Sequence, residues 1–306
     1  MGCPDWPKCF GTWVPPTSVS DLPQNYKEVY SAYREKKNRR FAKYLSAIGL
    51  NDTAEKLLQD KSVLKEADFN PAKTLVEYAN RLVGVMIGFL IFAVFVFSIR
   101  YRKEERRITI TALLAFLLVG FQGWLGSFVV STNLTPWTIT VHMFLALVIV
   151  ALLVYLVHRA NPVEILAPNA NVSSGWLIAC MTMLLVQILL GTEVREAIDS
   201  IAATIPRAGW IEAVGGTFII HRSFSIIVLL LHVGLVLQLK KTQEQKVFPV
   251  ALIVLILGTI LTGVGLAYLA VLPYLQPIHL LLATVTFGVQ FLFLLKLTRA
   301  EKTISV

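Results

Sequence analysis

The chain has 306 residues, of which 56% are hydrophobic and only 15% are charged, and its formal net charge is +9. Apolar stretches free of charge recur at about the 20-residue length that a bilayer-spanning helix requires, which excludes an ordinary water-soluble protein. The basic residues lie mainly in short connections, and no basic and aromatic surface indicates a nucleic-acid partner. The composition therefore predicts an all-α integral membrane protein that contacts lipid.

Residues 1–73 form a polar segment without a membrane span. Cys3 and Cys9 enclose a turn-rich stretch, and residues 21–68 predict two or three polar helices, the clearest over 26–44. The apolar positions of that region are Leu22, Tyr26, Val29, Tyr30, Tyr33 and Phe41. The basic run 34–40 predicts a solvent-facing surface.

Seven spans follow this segment. They cover residues 75–99, 108–130, 137–157, 174–194, 216–239, 247–270 and 277–297. The connections after the first, third and fifth spans are basic, as is the region after the last one, whereas 131–136 and 268–276 carry no Lys or Arg. This distribution predicts a cytoplasmic C-terminus and an extracytoplasmic 1–73 segment, where a disulfide between Cys3 and Cys9 is expected, with structural and redox roles both open.

An internal repeat relates the spans to one another. Gly126 precedes His142 by 16 residues and Gly263 precedes His279 by 16, so the second and third spans align with the sixth and seventh without gaps. Asn80-Arg81 aligns with His221-Arg222, which pairs the first span with the fifth.

The fourth span then has no counterpart in the first half. We therefore expect two pseudo-symmetric four-helix halves, with seven spans in this chain and the first span of an eight-span plan missing before residue 1. A true seven-span protein is the alternative. The predicted domains are 1–73, an N-terminal half-bundle over 74–158 and a C-terminal half-bundle over 174–298.

His221 and His279 each lie just inside the outer end of a long apolar helix. Two neutral imidazoles on neighbouring helices are the usual way in which a helical bundle clamps a haem iron from both sides. Arg222 follows the first histidine directly, and a cation at that depth suits a haem propionate. The alternative is that these polar residues only join helices by hydrogen bonds.

His142 is the repeat counterpart of His279, so it predicts a second haem-sized site. The residue expected opposite it is Asn80, a poor iron ligand, with Arg81 beside it as the counterpart of Arg222. A site with one strong ligand and one open face suits a haem that is exchanged, such as a substrate.

Glu77 precedes Asn80 by three residues and shares its helical face. A carboxylate at the membrane edge beside an apolar cavity is a candidate proton acceptor. An ion pair between Glu77 and Arg81 is the alternative.

These motifs together resemble the haem A synthase family. The resemblance rests on Cys-Pro-Asp-Trp-Pro-Lys-Cys, Glu-Tyr-Ala-Asn-Arg, Thr-Val-His142, Ile-His221-Arg222 and Pro-Ile-His279. It implies an eight-span oxidoreductase that holds a haem b cofactor between His221 and His279. It further implies that the N-terminal half receives haem O and oxidises a ring methyl group to a formyl group, with oxygen from water. Glu77 matches the family's catalytic carboxylate, and Cys3 and Cys9 match its outer-loop cysteine pair.

The same resemblance implies a bacterial cytoplasmic membrane, a role in cytochrome oxidase assembly, an electron acceptor such as quinone, and possible contacts with haem O synthase or a second copy. Asn80 departs from the family's usual histidine, which leaves His142 as the strong protein ligand for substrate iron. The alternatives are a two-haem electron carrier of the b561 type, which requires paired histidines in both halves, and a haem transporter or assembly factor without chemistry.

Overall fold

The computed structural model describes residues 2–131, 136–160, 173–202, 204–240 and 247–304. Within these ranges the regular elements are ten α-helices and several short 3-10 turns. The helices are α1 (Tyr26–Ala47), α2 (Asn51–Gln59), α3 (Pro71–Ser98), α4 (Arg106–Ser131), α5 (Pro136–Ala160), α6 (Ser174–Ile201), α7 (Trp210–Val214), α8 (Gly216–Lys240), α9 (Val247–Tyr268) and α10 (Leu275–Ile304).

Seven helices in the described part of the chain are long and apolar enough to cross a membrane, and each coincides with a predicted span. They are α3, α4, α5, α6, α8, α9 and α10. Large apolar side chains such as Phe89, Leu117 and Leu261 are exposed on them, which is favourable in lipid and costly in water. A helix also satisfies its own backbone hydrogen bonds, as the bilayer interior demands. The prediction of an all-α integral membrane protein is confirmed.

The region between α6 and α8 differs from its prediction. α6 continues to Ile201 rather than ending at 194, and its extra turns carry an ion pair between Arg195 and Asp199 at 2.8 Å. The sequence did not predict the short helix α7. Gly215, with φ of +58°, reverses the chain between α7 and α8, a backbone conformation that residues with a Cβ rarely adopt.

The described chain divides into two compact units, Met1–Ile149 and Val150–Val306, with the division inside α5. The first unit contains α1 to α4 and the beginning of α5. The second contains the remainder of α5 and the helices that follow it. The predicted domains 1–73, 74–158 and 174–298 follow the polar segment and the repeat of the spans, and they stay a prediction.

In the first unit, the polar hairpin α1–α2 packs on α4 through an apolar cluster. The Phe41 ring stacks on Phe128 at 4.0 Å between centroids, and the cluster comprises Phe41, Ala42, Leu45, Ala54, Leu57 and Phe128. This contact fixes the rotation of α1, so residues on the same face one and two turns earlier are buried as well.

Arg34 and Asn38 lie on that buried face, and the predicted solvent-facing surface is wrong at both positions. The Arg34 side chain is 1% exposed and contacts Glu66 at 2.5 Å. Val29 and Tyr33, which were predicted to be apolar contact positions, are largely exposed. The apolar pattern of α1 was too weak to predict which face of the helix is buried, because that face is set by the contact with α4.

The loop that follows Cys9 packs against α1 through aromatic rings. Phe10 makes edge contacts with Tyr26, Tyr30 and Phe69, at centroid distances of 6.1, 5.3 and 5.5 Å. These contacts explain why Tyr26 and Tyr30, in the first turns of α1, are partly buried.

Tyr30 should make this polar segment sensitive to alkali. Burial, reinforced by the negative charge of Asp5, raises the pKa of Tyr30 from 10.0 to about 12. Between these values Tyr30 is ionised in the unfolded segment and neutral in the folded one. The contribution of Tyr30 to stability is therefore unchanged below pH 10.0 and becomes unfavourable as the pH rises toward 12. Tyr30→Phe should reduce this alkaline loss in proteolysis of the segment at graded pH. Tyr44→Phe, at an exposed position, is the control and should leave the loss unchanged.

The second unit contains a buried polar pair among apolar side chains. Nδ1 of His232 lies 2.7 Å from the carbonyl oxygen of Val228, and its Nε2 lies 2.6 Å from Nε2 of Gln290. The imidazole therefore donates through Nδ1 and accepts from the Gln290 amide. His232 joins α8 to α10 through these hydrogen bonds.

Candidate functional site

His221 and His279 face one another across the second unit. They lie in the first two turns of α8 and α10, and their ring centroids are 6.5 Å apart with an angle of 69° between the planes. An imidazole–metal bond is about 2.0–2.1 Å long, and the bonded nitrogen lies about 1.2 Å from its ring centre. Two imidazoles on opposite sides of one metal therefore have centroids roughly 6.4 Å apart. The spacing of the two rings therefore fits a single metal centre bound between them.

Glycines on the neighbouring helices give each predicted ligand its space. A Cβ atom on Gly191 of α6 would lie 3.3 Å from Cε1 of His221, and one on Gly263 of α9 would lie 3.1 Å from Cε1 of His279. Gly126 of α4 stands in the same relation to His142, at 3.6 Å. The 16-residue spacing that defined the repeat thus corresponds to a direct glycine–imidazole contact in both halves.

Thr262 orients the imidazole of His279. Its hydroxyl oxygen lies 2.9 Å from the backbone oxygens of Gly258 and Thr259 and 2.9 Å from Nδ1 of His279. Since the hydroxyl proton is used on a helix carbonyl, the oxygen accepts from Nδ1–H. This assignment places the free lone pair on Nε2, which is the arrangement that a metal ligand needs.

Gln187 of α6 contacts both the backbone and the ring of His221. Its Nε2 donates to the backbone oxygen of His221 at 3.0 Å and lies 3.5 Å from the ring Nε2, at the limit of a hydrogen bond. Nδ1 of His221 is buried and has no hydrogen-bond partner in the described part of the chain.

The predicted substrate site in the first unit has a similar arrangement around His142. Gln122 of α4 donates from Nε2 to the backbone oxygen of His142 at 2.7 Å, and Nδ1 of His142 is buried without a partner among the described residues. Asn80 is exposed on α3. Its role opposite His142 stays a prediction.

Glu77 is surrounded by hydrogen-bond donors rather than by an apolar cavity. Its carboxylate accepts from the backbone amides of Gly2 at 2.7 Å and Cys3 at 3.3 Å, and it pairs with Arg81 at 2.8 Å. The structure thus contains the ion pair that was the alternative for Glu77. The catalytic role stays a prediction, and Glu77 also anchors the N-terminal loop.

Arg81 completes this anchor. Its guanidinium donates to the backbone oxygens of Cys3, Asp5 and Lys8 at 3.1, 2.7 and 2.9 Å. These contacts fix the loop on the N-terminal part of α3. The contact with a haem propionate that was predicted for Arg81 stays a prediction.

Cys3 and Cys9 are joined by a disulfide inside this loop, and both residues are 0% exposed. The side chain of Asp5 accepts from the backbone amides of Phe10 and Gly11 at 2.6 and 2.9 Å. Ready reduction of a disulfide requires access of an attacking thiol, so this burial favours the structural role over the redox role.

Arg222, the repeat counterpart of Arg81, has a different environment. It is exposed near the start of α8, with its guanidinium carbon 5.8 Å from the ring centre of Phe218. Among the described residues no ion pair of Arg222 is present. This guanidinium is therefore accessible to an anionic group beside His221.

The sequence did not identify Gln122, Gln187, Gly191 or Thr262 as neighbours of the histidines. Uncharged polar residues are uncommon in spans and usually face the bundle interior, and this was the available signal. A polar residue lies four positions before the contacting glycine in each case, namely Gln122 before Gly126, Gln187 before Gly191 and Thr259 before Gly263.

The fold and site define a multi-spanning membrane protein with a site that fits metal coordination by two imidazoles. The sequence profile of the COX15-CtaA family, described as cytochrome oxidase assembly protein, matches residues 50–291. The chain belongs to this family.

Several curated relatives carry the name Heme A synthase. The chain is 23% identical to the protein of Shewanella oneidensis over 206 residues, which is 67% of this chain and 51% of the relative. It is 22% identical to that of Halalkalibacterium halodurans over 235 residues, 71% of this chain and 78% of the relative. It is 26% identical to that of Shouchella clausii over 248 residues, which is 75% of this chain and 82% of the relative. The chain thus spans about half the length of the first relative. No solved structure gives a significant match.

Proposed function

We propose that this protein is a haem A synthase, an oxidoreductase that converts a ring methyl group of haem O to the formyl group of haem A. The observation that carries the proposal is the pair His221 and His279, whose ring centroids are 6.5 Å apart. The name shared by the relatives in three organisms supports it. The resident cofactor in this proposal is haem b.

His221 and His279 would hold the haem b iron, and Arg222 would pair with a propionate. The fit rests on the ring spacing, on the glycine clearance beside each ring, and on the Nδ1–H tautomer that Thr262 sets for His279. When bound, haem b supplies a one-electron acceptor for the oxidation. Imidazole ligands on both faces suit electron transfer because neither face is left open for substrate.

His142 would hold the iron of haem O and orient the methyl group that is oxidised. Because Asn80 is a poor ligand, the opposite face stays accessible, which suits a substrate that is exchanged. Each hydroxylation with water would replace a C–H bond of the methyl group by a C–O bond and release two protons and two electrons. The electrons would leave singly through the proposed haem b to the quinone, and Glu77 is the candidate proton acceptor. Its neighbours Arg81, Gly2 and Cys3 hold the carboxylate in place through donors to both oxygens.

The proposed setting is the bacterial cytoplasmic membrane, with residues 1–73 outside and the C-terminus in the cytoplasm. Haem O synthase is the proposed source of substrate, and a quinone is the proposed final electron acceptor. A second copy of the chain is a further proposed partner. The spans and the basic connections between them support the multi-pass topology.

Haem extraction after co-expression with a haem O source tests this function. We expect purified protein to retain haem b and the membranes to accumulate haem A, identified by mass. Two tightly bound b-type haems without haem A would favour the electron carrier and contradict the proposal. Retained haem O without conversion would indicate a transporter.

A further inference from the structure

Two glutamines inside the membrane bundle have an amide oxygen with no partner. Oε1 of Gln122 and Oε1 of Gln187 are both buried and accept no hydrogen bond in the described part of the chain. In both cases the amide nitrogen of the same side chain donates to the backbone oxygen of a predicted iron ligand, His142 or His221. The amide orientation is therefore fixed, since the reverse orientation would bring two oxygen atoms together.

The two histidines that these glutamines contact each have a ring nitrogen without a hydrogen-bond partner. Nδ1 of His142 and Nδ1 of His221 are buried without a partner among the described residues. A buried polar group without a partner is unfavourable, and each glutamine–histidine pair contains two such groups. A ring nitrogen that carries a proton is the donor that an amide oxygen needs.

His279, the third predicted iron ligand, already has a hydrogen-bond partner for its Nδ1. Its Nδ1 contacts Thr262 at 2.9 Å on the preceding helix. In the repeat, Leu125 occupies the position of Thr262, so the N-terminal half cannot use a hydroxyl there. Gln122 takes the position equivalent to Thr259, one turn earlier on the same helix.

We propose that Gln122 and Gln187 are positioning residues that accept a hydrogen bond from Nδ1–H of His142 and His221 when haem iron binds Nε2. This inference rests on the proposed function. Iron at Nε2 of His221 replaces the weak contact with Nε2 of Gln187, and rotation of the imidazole then pairs Nδ1–H with Oε1. By the same rearrangement, binding of haem O at His142 pairs Nδ1–H of His142 with Oε1 of Gln122.

Such a hydrogen bond has a measurable electronic effect. An acceptor on Nδ1–H makes the imidazole a stronger donor to iron, which stabilises the ferric state and lowers the reduction potential. Gln187→Leu removes the acceptor and should raise the potential of the resident haem. Gln187→Glu supplies a stronger acceptor and should lower it, although the carboxylate cannot donate to the backbone oxygen of His221 as the amide of Gln187 does.

The experiment compares both variants with wild-type protein purified with haem b, by reductive titration and by electron paramagnetic resonance of the ferric haem. Gln290→Leu is the matched control, because Gln290 contacts His232 rather than a predicted ligand. We expect opposite shifts for Gln187→Leu and Gln187→Glu, with the wild-type potential retained in Gln290→Leu. Wild-type potentials and spectra in both Gln187 variants, or shifts in one common direction, would overturn the inference.

Gln122→Leu tests the substrate side by titration of haem O into purified protein. Loss of a partner of a metal ligand typically costs about 10–100-fold in affinity, so haem O should bind at least about tenfold more weakly while resident haem b is retained. Unchanged haem O affinity would overturn the role of Gln122. A wild-type chain that binds no haem at all would instead refute the proposed function.

Discussion

His221→Ala should abolish the absorption spectrum of the proposed haem b and, with it, the proposed formation of haem A. The substitution would remove one of the two proposed iron ligands, whose rings are 6.5 Å apart, and would leave His279 as the remaining ligand of the proposed haem. We expect haem b in the purified protein to fall to a small fraction of the wild-type amount, measured by pyridine haemochrome assay.

His232→Ala is the matched control on the same helix. It leaves the buried amide nitrogen of Gln290 without its acceptor, at a cost of about 1–3 kcal/mol in stability, but removes no predicted ligand. The haem content should therefore stay near the wild-type value while thermal stability falls. Loss of the haem from His232→Ala together with its retention in His221→Ala would show that α8 binds the haem at the deeper histidine.

Glu77→Gln should stop the proposed haem A formation without removing the proposed haem b. The glutamine oxygen can still accept from the amides of Gly2 and Cys3, but the side chain no longer takes up a proton at neutral pH. Loss of a general base typically lowers a rate by about 10²–10⁴-fold. The measurement is the ratio of haem A to haem O in membranes at matched protein levels.

Glu77→Ala separates proton transfer from anchoring. Alanine accepts none of the three hydrogen bonds, so the loop should loosen and the buried Cys3–Cys9 disulfide should become accessible to reductant and alkylating agent. In Glu77→Gln the disulfide should stay protected. Full haem A formation by Glu77→Gln, with impairment in Glu77→Ala only, would restrict Glu77 to holding the loop.

The sequence by itself determined the membrane class, the seven spans and the histidines that lie near the start of three of them. These features depend on the local solvent, because a span must be apolar over about 20 residues whatever its neighbours are. The spacing from Gly126 to His142 and from Gly263 to His279 was also readable, since each pair lies on consecutive helices joined by a short connection.

Only the tertiary structure decided how polar side chains find partners. Glu77 meets Gly2 across 75 residues of sequence, and Gln187 meets His221 across 34. Neither pairing follows from local periodicity, because each depends on how far one helix rotates and slides against another. The buried face of α1 was misjudged for the same reason, since its contact with Phe128 and not its own pattern turns Arg34 and Asn38 inward.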